Sequence, residues 1–328
     1  MGDHDALFKA IFSQPEHAAG ELSVVLPRAL AERIDFSVLA RASGSFVDPA
    51  LTERHTDLLF ATRIAGQEAL LYVLFEHLSY VDPLMAFRLL RYMVRIWDEH
   101  LKKHPNARRL PIIVPVVLHH SDTGWTASTT FESLMDVDAQ TLALVAPYVP
   151  CFRIALDDIS HESDAALRAR PMSALARFGL GLLARAPDEL LREAESWAPV
   201  VAEAQSGPHG PAALGPALSY ILKTNKASVD QIKARLIRAW GGNIEEVIVT
   251  AADQLREEGR KDGIAKGQLE GVAKGQRQTL LKLLQRKFGP LPEPITARVN
   301  AAGTDDLDRW LDLILTAPTL DDVFAVEG

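Results

Sequence analysis

The stretch HTDLLFATRIAGQEALLYVLFEHLSY, residues 55–80, contains two segments with the character of neighbouring β-strands. The first is rich in β-favouring residues, a turn follows at Gly66 and Gln67, and the second is almost wholly apolar. An acid interrupts each strand, Asp57 at the start of the first and Glu76 near the end of the second. A buried carboxylate costs several kcal/mol unless it is paired or binds a metal. These two acids are therefore the first candidates for a functional site.

Adjacent strands can bring Asp57 and Glu76 onto one face at one end of a sheet. Two carboxylates in that position, together with a main-chain carbonyl, form an oxygen site suited to Mg²⁺. A divalent ion held there can activate water and stabilise the charge that develops on a phosphodiester. The spacing also allows a structural interpretation, in which Asp57 caps a strand end and Glu76 pairs with an arginine of the next helix.

The order of elements around these strands predicts an α/β fold with a mixed sheet. Residues 3–34 have helical spacing of apolar residues with a break at Pro15, and residues 35–49 contain two short strand candidates. After the central pair of strands, residues 83–103 form a strong helix, and the apolar run at residues 110–121 is typical of a central strand. The predicted buried stripe of that helix consists of Leu84, Phe87, Leu90, Met93, Val94 and Trp97. The strand–helix–strand crossover predicts a parallel pairing.

Composition is that of a globular protein. The chain has 328 residues, of which 48% are hydrophobic and 24% charged, without an apolar run of about 18 residues that would cross a bilayer. Its first residues lack the pattern of a secretory signal, and its single cysteine excludes an internal disulfide and a cysteine zinc cluster. We expect Cys151 to be a small core residue of a further strand over residues 148–156. We also expect a cytoplasmic location and no membrane association.

Charge is unevenly distributed along the chain. The formal net charge of −8 argues against a protein that coats nucleic acid. Residues 86–110, however, contain seven basic and two acidic residues, a local net charge of +5. Arg88, Arg91 and Arg95 share one face of the predicted helix. This spacing is compatible with an ordinary solvated face, and a DNA-binding face is favoured if the neighbouring strands bind a metal.

The second half of the chain is predicted to be mostly helical. Residues 161–250 form a helical extension of a core that occupies residues 1–160. Residues 251–276 contain five glycines at four-residue spacing, each of which costs about 1 kcal/mol relative to alanine in a helix. We interpret this segment as a weak helix or a flexible connector, followed by a small helical module at residues 277–328.

Six motifs follow one another as in a known family. They are HDALFKAIF (4–12), HTDLLF (55–60), LFEHLS (74–79), MAFRLLRYM (85–93), LPIIVPVVLHHS (110–121) and GWTAS (124–128). In this order they resemble the Rpn (recombination-promoting nuclease) family, also described as YhgA-like transposases, over about residues 3–240. The glycine repeat and helical tail resemble a C-terminal extension common in that family. The family belongs to the PD-(D/E)XK nuclease superfamily, whose α-β-β-β-α-β core has the order predicted above.

The resemblance implies roles for individual residues. Asp57 corresponds to the acidic metal ligand of the second core strand, and Glu76 to the acid of the acid-x-base motif on the third strand. His77 occupies the variable place of that motif, where it would offer its main-chain carbonyl to the metal. Glu21, on the first helical stretch, corresponds to a helix acid that some superfamily members add.

Leu78 departs from the family pattern. The superfamily places lysine two residues after the acid, and this family usually places glutamine there. Leucine can neither orient water nor stabilise an oxyanion. Other groups that could supply the missing polar function are Arg88, Arg91, His77, His119 and His120. A second departure is Ser121, which stands where the family typically has glycine after the strand-end histidine.

The resemblance implies a Mg²⁺-dependent endonuclease that acts on double-stranded DNA, in DNA recombination or in mobile elements, with a homo-oligomer as one option. Leu78 leaves an alternative open, a catalytically weakened or inactive nuclease-fold protein that binds DNA or a partner protein. A third hypothesis is a purely structural helical scaffold, which predicts no response to divalent metal.

Overall fold

The chain forms two compact units, Met1–Ala252 and Asp253–Gly328. The computed structural model describes residues 2–42, 56–76, 81–207 and 209–324. At residues 56–57, 74–76, 187, 262, 265, 266 and 269 it describes the backbone alone. The nuclease-like core and the helical extension expected from the sequence both lie in the first unit. Within the described ranges, no helix combines the length and apolar character that a membrane crossing requires.

The first unit begins with three helices, α1 (Asp3–Phe12), α2 (Pro15–Val25) and α3 (Arg28–Ala31). Pro15 occupies the first position of α2, where its missing amide proton costs no helical hydrogen bond. The expected break between α1 and α2 is confirmed. Helix α1 buries its four large apolar side chains, Leu7, Phe8, Ile11 and Phe12.

A five-stranded mixed sheet follows. Its strands are β1 (Ala40–Arg41), β2 (Thr56–Ile64), β3 (Gln67–Glu76), β4 (Ile112–His119) and β5 (Ala155–Asp158). They lie side by side in chain order. Strands β1, β2 and β3 pair antiparallel, whereas β3 with β4 and β4 with β5 pair parallel. The predicted α/β class, the mixed sheet and the central parallel strand are confirmed.

The turn between β2 and β3 fixes the register of the sheet. Ala65 and Gly66 both have positive φ, 50° and 79°, as a two-residue turn requires when it matches the twist of its strands. This turn pairs Ile64 with Gln67 and, near the far end of the hairpin, Asp57 with Leu74. A shift by one residue would move every side chain of β2 to the other face of the sheet.

Helix α4 (Met85–Lys103) connects β3 to β4. Its buried residues are Met85, Ala86, Leu89, Tyr92, Met93 and Ile96. The predicted stripe was therefore wrong in phase, because Met93 alone of its six members is buried and Leu84, Phe87 and Val94 are exposed. The physical reason is that α4 carries apolar residues on two opposite sides, so periodicity alone does not show which side contacts the sheet.

Two other expectations are corrected. Residues 36–38 form a single turn of 3₁₀ helix, which leaves the short β1 as the strand in this region. The second strand candidate, residues 44–49, lies outside the described residues. Cys151 is exposed and precedes β5, because this strand begins at Ala155 instead of at residue 148.

The sheet is covered on both faces. Leu59, Tyr72 and Val117 belong to one core cluster with the buried side of α4. The next residues along these strands, including Phe60 and Leu71, are buried on the other face. Helices α1 and α2 contact that face. Because successive side chains of a strand point to opposite faces, the odd-numbered residues of β2 and the even-numbered residues of β3 lie on the α4 face.

Helices form the remainder of the first unit. They are α5 (Ala139–Val145), α6 (Asp164–Ala169), α7 (Ala174–Leu183), α8 (Pro187–Arg192), α9 (Ala194–Gln205), α10 (Gly215–Thr224) and α11 (Val229–Trp240). Helix α7 is buried along almost its whole length. A Cβ atom at Gly179 would lie 2.6 Å from Cδ1 of Ile11, and one at Gly181 would overlap the Trp197 ring. These glycines let α7 approach α1 and α9 closely.

The chain continues as α12 (Glu245–Phe288), α13 (Glu293–Ala301), α14 (Thr304–Thr316) and α15 (Leu320–Val323). The glycine repeat is helical throughout and lies inside α12. Within the described part of the chain, a Cβ atom added at any of its five glycines would meet nothing within 4 Å, so these positions make no close helix–helix contact there. The second unit has its own apolar core, which includes Leu284, Leu307 and Trp310.

A buried ionic cluster joins α2, the sheet and the helical extension. Arg170, which follows α6, donates two hydrogen bonds of 2.6 and 2.8 Å to the Asp157 carboxylate at the end of β5. It also donates to Glu162 at 2.7 Å and to Glu21 of α2 at 3.4 Å. Glu21, Asp157 and Arg170 are each less than a tenth exposed. One cation thus serves three carboxylates, and removing such a partner from a buried cluster typically costs about 3–5 kcal/mol.

Keeping a negative charge on all three carboxylates would be destabilising, because they are close together and two of them are buried. Burial raises the pKa of Glu21 well above its ordinary value of 4.5, and the neighbouring charge of Asp157 raises it further. At a pH between 4.5 and the raised native pKa, Glu21 is protonated in the native state and ionised in the unfolded state. The free energy of unfolding therefore falls as pH rises above 4.5.

Replacing Glu21 with glutamine should remove this penalty, because the amide stays neutral at every pH. We expect the melting temperature of Glu21→Gln, relative to the unmodified protein, to increase as pH is raised from about 5 to about 8. Thermal unfolding followed by circular dichroism measures the difference. Glu32→Gln, at an exposed glutamate of the same N-terminal region, controls for loss of a surface carboxylate. A difference that stays constant or shrinks with rising pH would show that Glu21 is ionised in the native state.

Candidate functional site

The backbone register places Asp57 and Glu76 close together. Asp57 pairs with Leu74, and Glu76 lies two residues further along β3. Alternate residues of a strand share a face, so positions 57 and 76 are diagonal neighbours on the α4 face, with a Cα separation of roughly 7–8 Å. Their side chains, and residues 77–80 with His77 and Leu78, lie outside the described part of the chain.

Two further strand ends meet at this edge. Glu76 is in register with His119 at the end of β4, and His119 is in register with Asp158 at the end of β5. In a parallel pairing, residues in register lie on the same face, so these positions continue the row that begins at Asp57. Positions 57, 76, 119 and 158 therefore form a row at one edge of the α4 face, in which the structure describes the side chains of His119 and Asp158.

His119 is fully buried at the end of β4. The side chain is 0% exposed, and its Nε2 atom lies 2.9 Å from the Ser121 hydroxyl. The Trp125 ring packs edge-on against the imidazole at a centroid distance of 5.1 Å. The Ser121 hydroxyl also donates to the Gly124 carbonyl at 3.3 Å. Ser121 thus orients the histidine, a contact that the glycine typical of the family could not make.

Asp158 organises the loop that carries Trp125. Its carboxylate accepts hydrogen bonds from the Trp125 amide at 2.7 Å and from the Ser160 hydroxyl at 2.5 Å. Burial raises the pKa of Asp158, but the hydrogen bonds from Ser160 and Trp125 outweigh burial and hold the pKa below its ordinary value. Asp158 is therefore ionised at neutral pH. Sequence reasoning missed Asp158, for which an acid just after a predicted strand was the available signal. It noted Ser121 as a departure from the family pattern but gave it no role.

The candidate DNA-binding arginines lie on the helix that covers this face. Arg88 is half-buried, 3.4 Å from the Asp82 carboxylate at the start of α4. Arg91 is exposed and Arg95 is half-buried. Helix α4 begins shortly after β3 ends, so Arg88 is the nearest of the three to the row of acids. Arg95 lies about 10 Å further along the helix axis.

Glu21 is not brought to this row. Its neighbour Asp157 directly precedes Asp158 on β5, and consecutive side chains of a strand point to opposite faces. Asp157 therefore lies on the face that α2 covers. Glu21 is also hydrogen-bonded to Arg170 in the buried cluster. The structure therefore separates Glu21 from Asp57 and Glu76 by the thickness of the sheet, which favours a structural role over the predicted catalytic one.

A metal at this edge would depend on positions 57 and 76. Among the residues whose side chains the structure describes, no group of three or more His, Cys, Asp or Glu side chains could hold a metal ion. The donor set fits Mg²⁺ chemically, because two carboxylates on neighbouring strands supply hard oxygen ligands and leave positions for water and phosphate.

The chain is similar in sequence to known proteins. The family model described as "Putative transposase, YhgA-like" matches residues 2–184. Recombination-promoting nuclease RpnD of Escherichia coli O157:H7 is 37% identical over 117 residues, 36% of this chain and 45% of RpnD. RpnC of Escherichia coli K12 is 34% identical over 119 residues, 36% of this chain and 39% of RpnC. RpnE of the same strain, named an inactive recombination-promoting nuclease-like protein, is 31% identical over 120 residues, 37% of this chain and 40% of RpnE.

The match spans less than half the length of these relatives. No solved structure matches the chain. The family model covers the three N-terminal helices, the whole sheet and α4 to α7, which is more than half of the sequence. The chain therefore belongs to the YhgA-like transposase family, together with relatives that are named recombination-promoting nucleases.

Proposed function

We propose that this protein is a Mg²⁺-dependent DNA endonuclease. The observation that supports this most strongly is the register that makes positions 57 and 76 diagonal neighbours at one edge of the sheet. The relatives named nucleases support the same reaction class. The substrate is double-stranded DNA, and the products are the two ends of a hydrolysed phosphodiester.

Asp57 and Glu76 are the proposed metal ligands, with the main-chain carbonyl of His77 as a third. A bound Mg²⁺ would polarise the scissile phosphate and lower the pKa of the attacking water. His119 lies beside position 76 in the register and is the best-placed described candidate for the polar function that Leu78 lacks. Its ring is oriented by Ser121, as a group that holds or transfers a proton requires.

The positive charge of α4 provides the proposed contact with the DNA backbone, through Arg88, Arg91 and Arg95. Arginine recognises phosphate through paired hydrogen bonds. The helix packs on the same face as the row of acids, so phosphates bound by α4 would lie near the proposed metal. A cytoplasmic location is part of this proposal, since the lone cysteine suits a reducing compartment.

A catalytically inactive, DNA-binding relative is the second candidate. The observations that favour it are Leu78 in the place of the family's polar residue and the existence of relatives that are named inactive. In that case the fold and the basic helix would persist without hydrolysis.

Removing Asp57 tests the proposed reaction. Asp57→Ala should lower Mg²⁺-dependent nicking of a supercoiled plasmid by about 10²-fold or more, because a bound divalent ion contributes several kcal/mol of transition-state stabilisation. Asp136→Ala, at an exposed aspartate, is the matched control and should retain full activity. Equal nicking by both variants would exclude Asp57 as a ligand, and absence of nicking by the unmodified protein would favour the inactive alternative.

Restoring the family's polar residue tests the role of position 78. Leu78→Gln and Leu78→Lys should increase the nicking rate, by up to about 10²–10³-fold, which is the usual contribution of one oriented polar group. Leu144→Lys, at a leucine that is 71% exposed, controls for the added charge. Melting temperatures establish that the variants are folded. Folded variants that gain no activity would indicate that another residue already supplies the function or that the site is inactive.

Removing the arginines tests the proposed DNA contact. A variant with glutamine at positions 88, 91 and 95 should bind duplex DNA more weakly. The slope of log affinity against log salt should fall by about 0.9 for each lost phosphate contact. Fluorescence anisotropy over a KCl series measures both quantities. Arg28→Gln, at an arginine whose side chain is 92% exposed, is the control. An unchanged salt slope in the triple variant would show that these arginines do not contact phosphate.

A further inference from the structure

The outer side of α4 carries exposed apolar residues where a surface helix normally carries polar ones. Leu84 is 54% exposed, Phe87 47%, Val94 44% and Leu101 39%. They lie opposite the side that α4 buries against the sheet. Their separations of three and seven residues are those of a helix seam that packs against another helix.

Two exposed charges complete the seam. Arg91 and Asp98 occupy the heptad positions between the apolar residues. Within the described part of the chain, no ion pair forms with either side chain. One seam position thus carries a positive charge and the other a negative charge. Such a pair favours the partner and the orientation in which opposite charges meet.

The seam is complementary to itself when one copy is reversed. Phe87 and Leu101 lie seven residues before and after Val94, and Arg91 and Asp98 lie three before and four after it. A two-fold axis at Val94 would therefore set Phe87 against Leu101 of a second copy. It would also bring Arg91 to within about 1.5 Å, one residue of helical rise, of the level of Asp98 on the second copy. Each pairing would occur twice.

A parallel arrangement lacks this complementarity. It would place Arg91 against Arg91 and Asp98 against Asp98, which is destabilising at a seam position. Charges that flank the seam are partly neutralised within the chain, since Arg88 pairs with Asp82 and Lys102 with Glu99. Arg95 lies on the flank near the axis, so like charges approach there and limit the affinity.

We propose that a second copy of this chain packs antiparallel on the outer side of α4, across a two-fold axis at Val94. The contact is one helix wide, which places it among small and reversible interfaces with an affinity of about micromolar. It goes beyond the proposed nuclease function and does not depend on a metal. Arg91 is also one of the proposed phosphate contacts, so self-association and DNA binding would compete for its side chain.

Charge reversal on the full chain tests the proposal. Sedimentation equilibrium from about 1 to about 200 μM should show a monomer–dimer equilibrium. Arg91→Asp and Asp98→Arg should each weaken self-association by about tenfold or more, because each replaces two attractive pairs with two repulsive ones. The double variant should restore it to within about threefold, since reversal of both charges preserves the antiparallel pairing.

Two control variants establish that any loss of self-association arises at this seam. Arg28→Asp makes the same charge change on α3, and should leave self-association unchanged. Val94→Asp brings two carboxylates together on the axis and should abolish the dimer, while an unchanged circular dichroism spectrum shows that the exposed site tolerates it.

Four results would overturn the proposal. A protein that stays monomeric at about 200 μM forms no such contact. A dimer insensitive to the single variants uses another surface, and a double variant that remains monomeric excludes the antiparallel arrangement. If Arg91→Asp weakens binding to duplex DNA and leaves self-association unchanged, Arg91 is a phosphate ligand instead.

Discussion

The fold of the first unit depends on one buried cation. Arg170 follows α6, yet its guanidinium lies between a strand end, a helix near the N-terminus and the chain that precedes α6. An arginine in this setting is stable only while its carboxylate partners surround it, and Asp157 meets it with two parallel hydrogen bonds. This arrangement explains why the residues expected to form a separate helical extension share one compact unit with the sheet.

The same strand end separates two kinds of chemistry. Asp157 faces the cluster and Asp158 faces the row of acids and histidine, because neighbouring residues of a strand alternate between faces. Burial raises the pKa of Glu21 on one side of the sheet, and hydrogen bonding lowers the pKa of Asp158 on the other. The sheet thus isolates a stabilising network from the proposed site, although the two are adjacent in sequence.

Sequence reasoning succeeded where the signal was local and failed where it was not. The apolar run of β4 and the turn signal at Gly66 both carry their information within a few residues, so the pairing of β2 with β3 was predictable. The turn itself lies at Ala65 and Gly66, one residue earlier than predicted. The phase of α4 was not, because apolar residues on both sides of this helix give two seams and only the sheet decides between them. The roles of Ser121 and Asp158 were not foreseen for a related reason. Their roles come from contacts with residues on other loops, as in the hydrogen bond from the Trp125 amide to Asp158.

The close approach of α7 to α1 has a consequence for the synthesis of the protein. Ile11 is covered by Gly179, and Tyr220 of α10 lies within hydrogen-bond distance of His4. Helix α1 is made before α7, so the side of α1 that carries Ile11 stays uncovered by α7 until about 160 further residues have been made. At ordinary rates of translation that delay is roughly 10–30 s. During this interval this apolar side of α1 is open to chaperones that bind apolar segments.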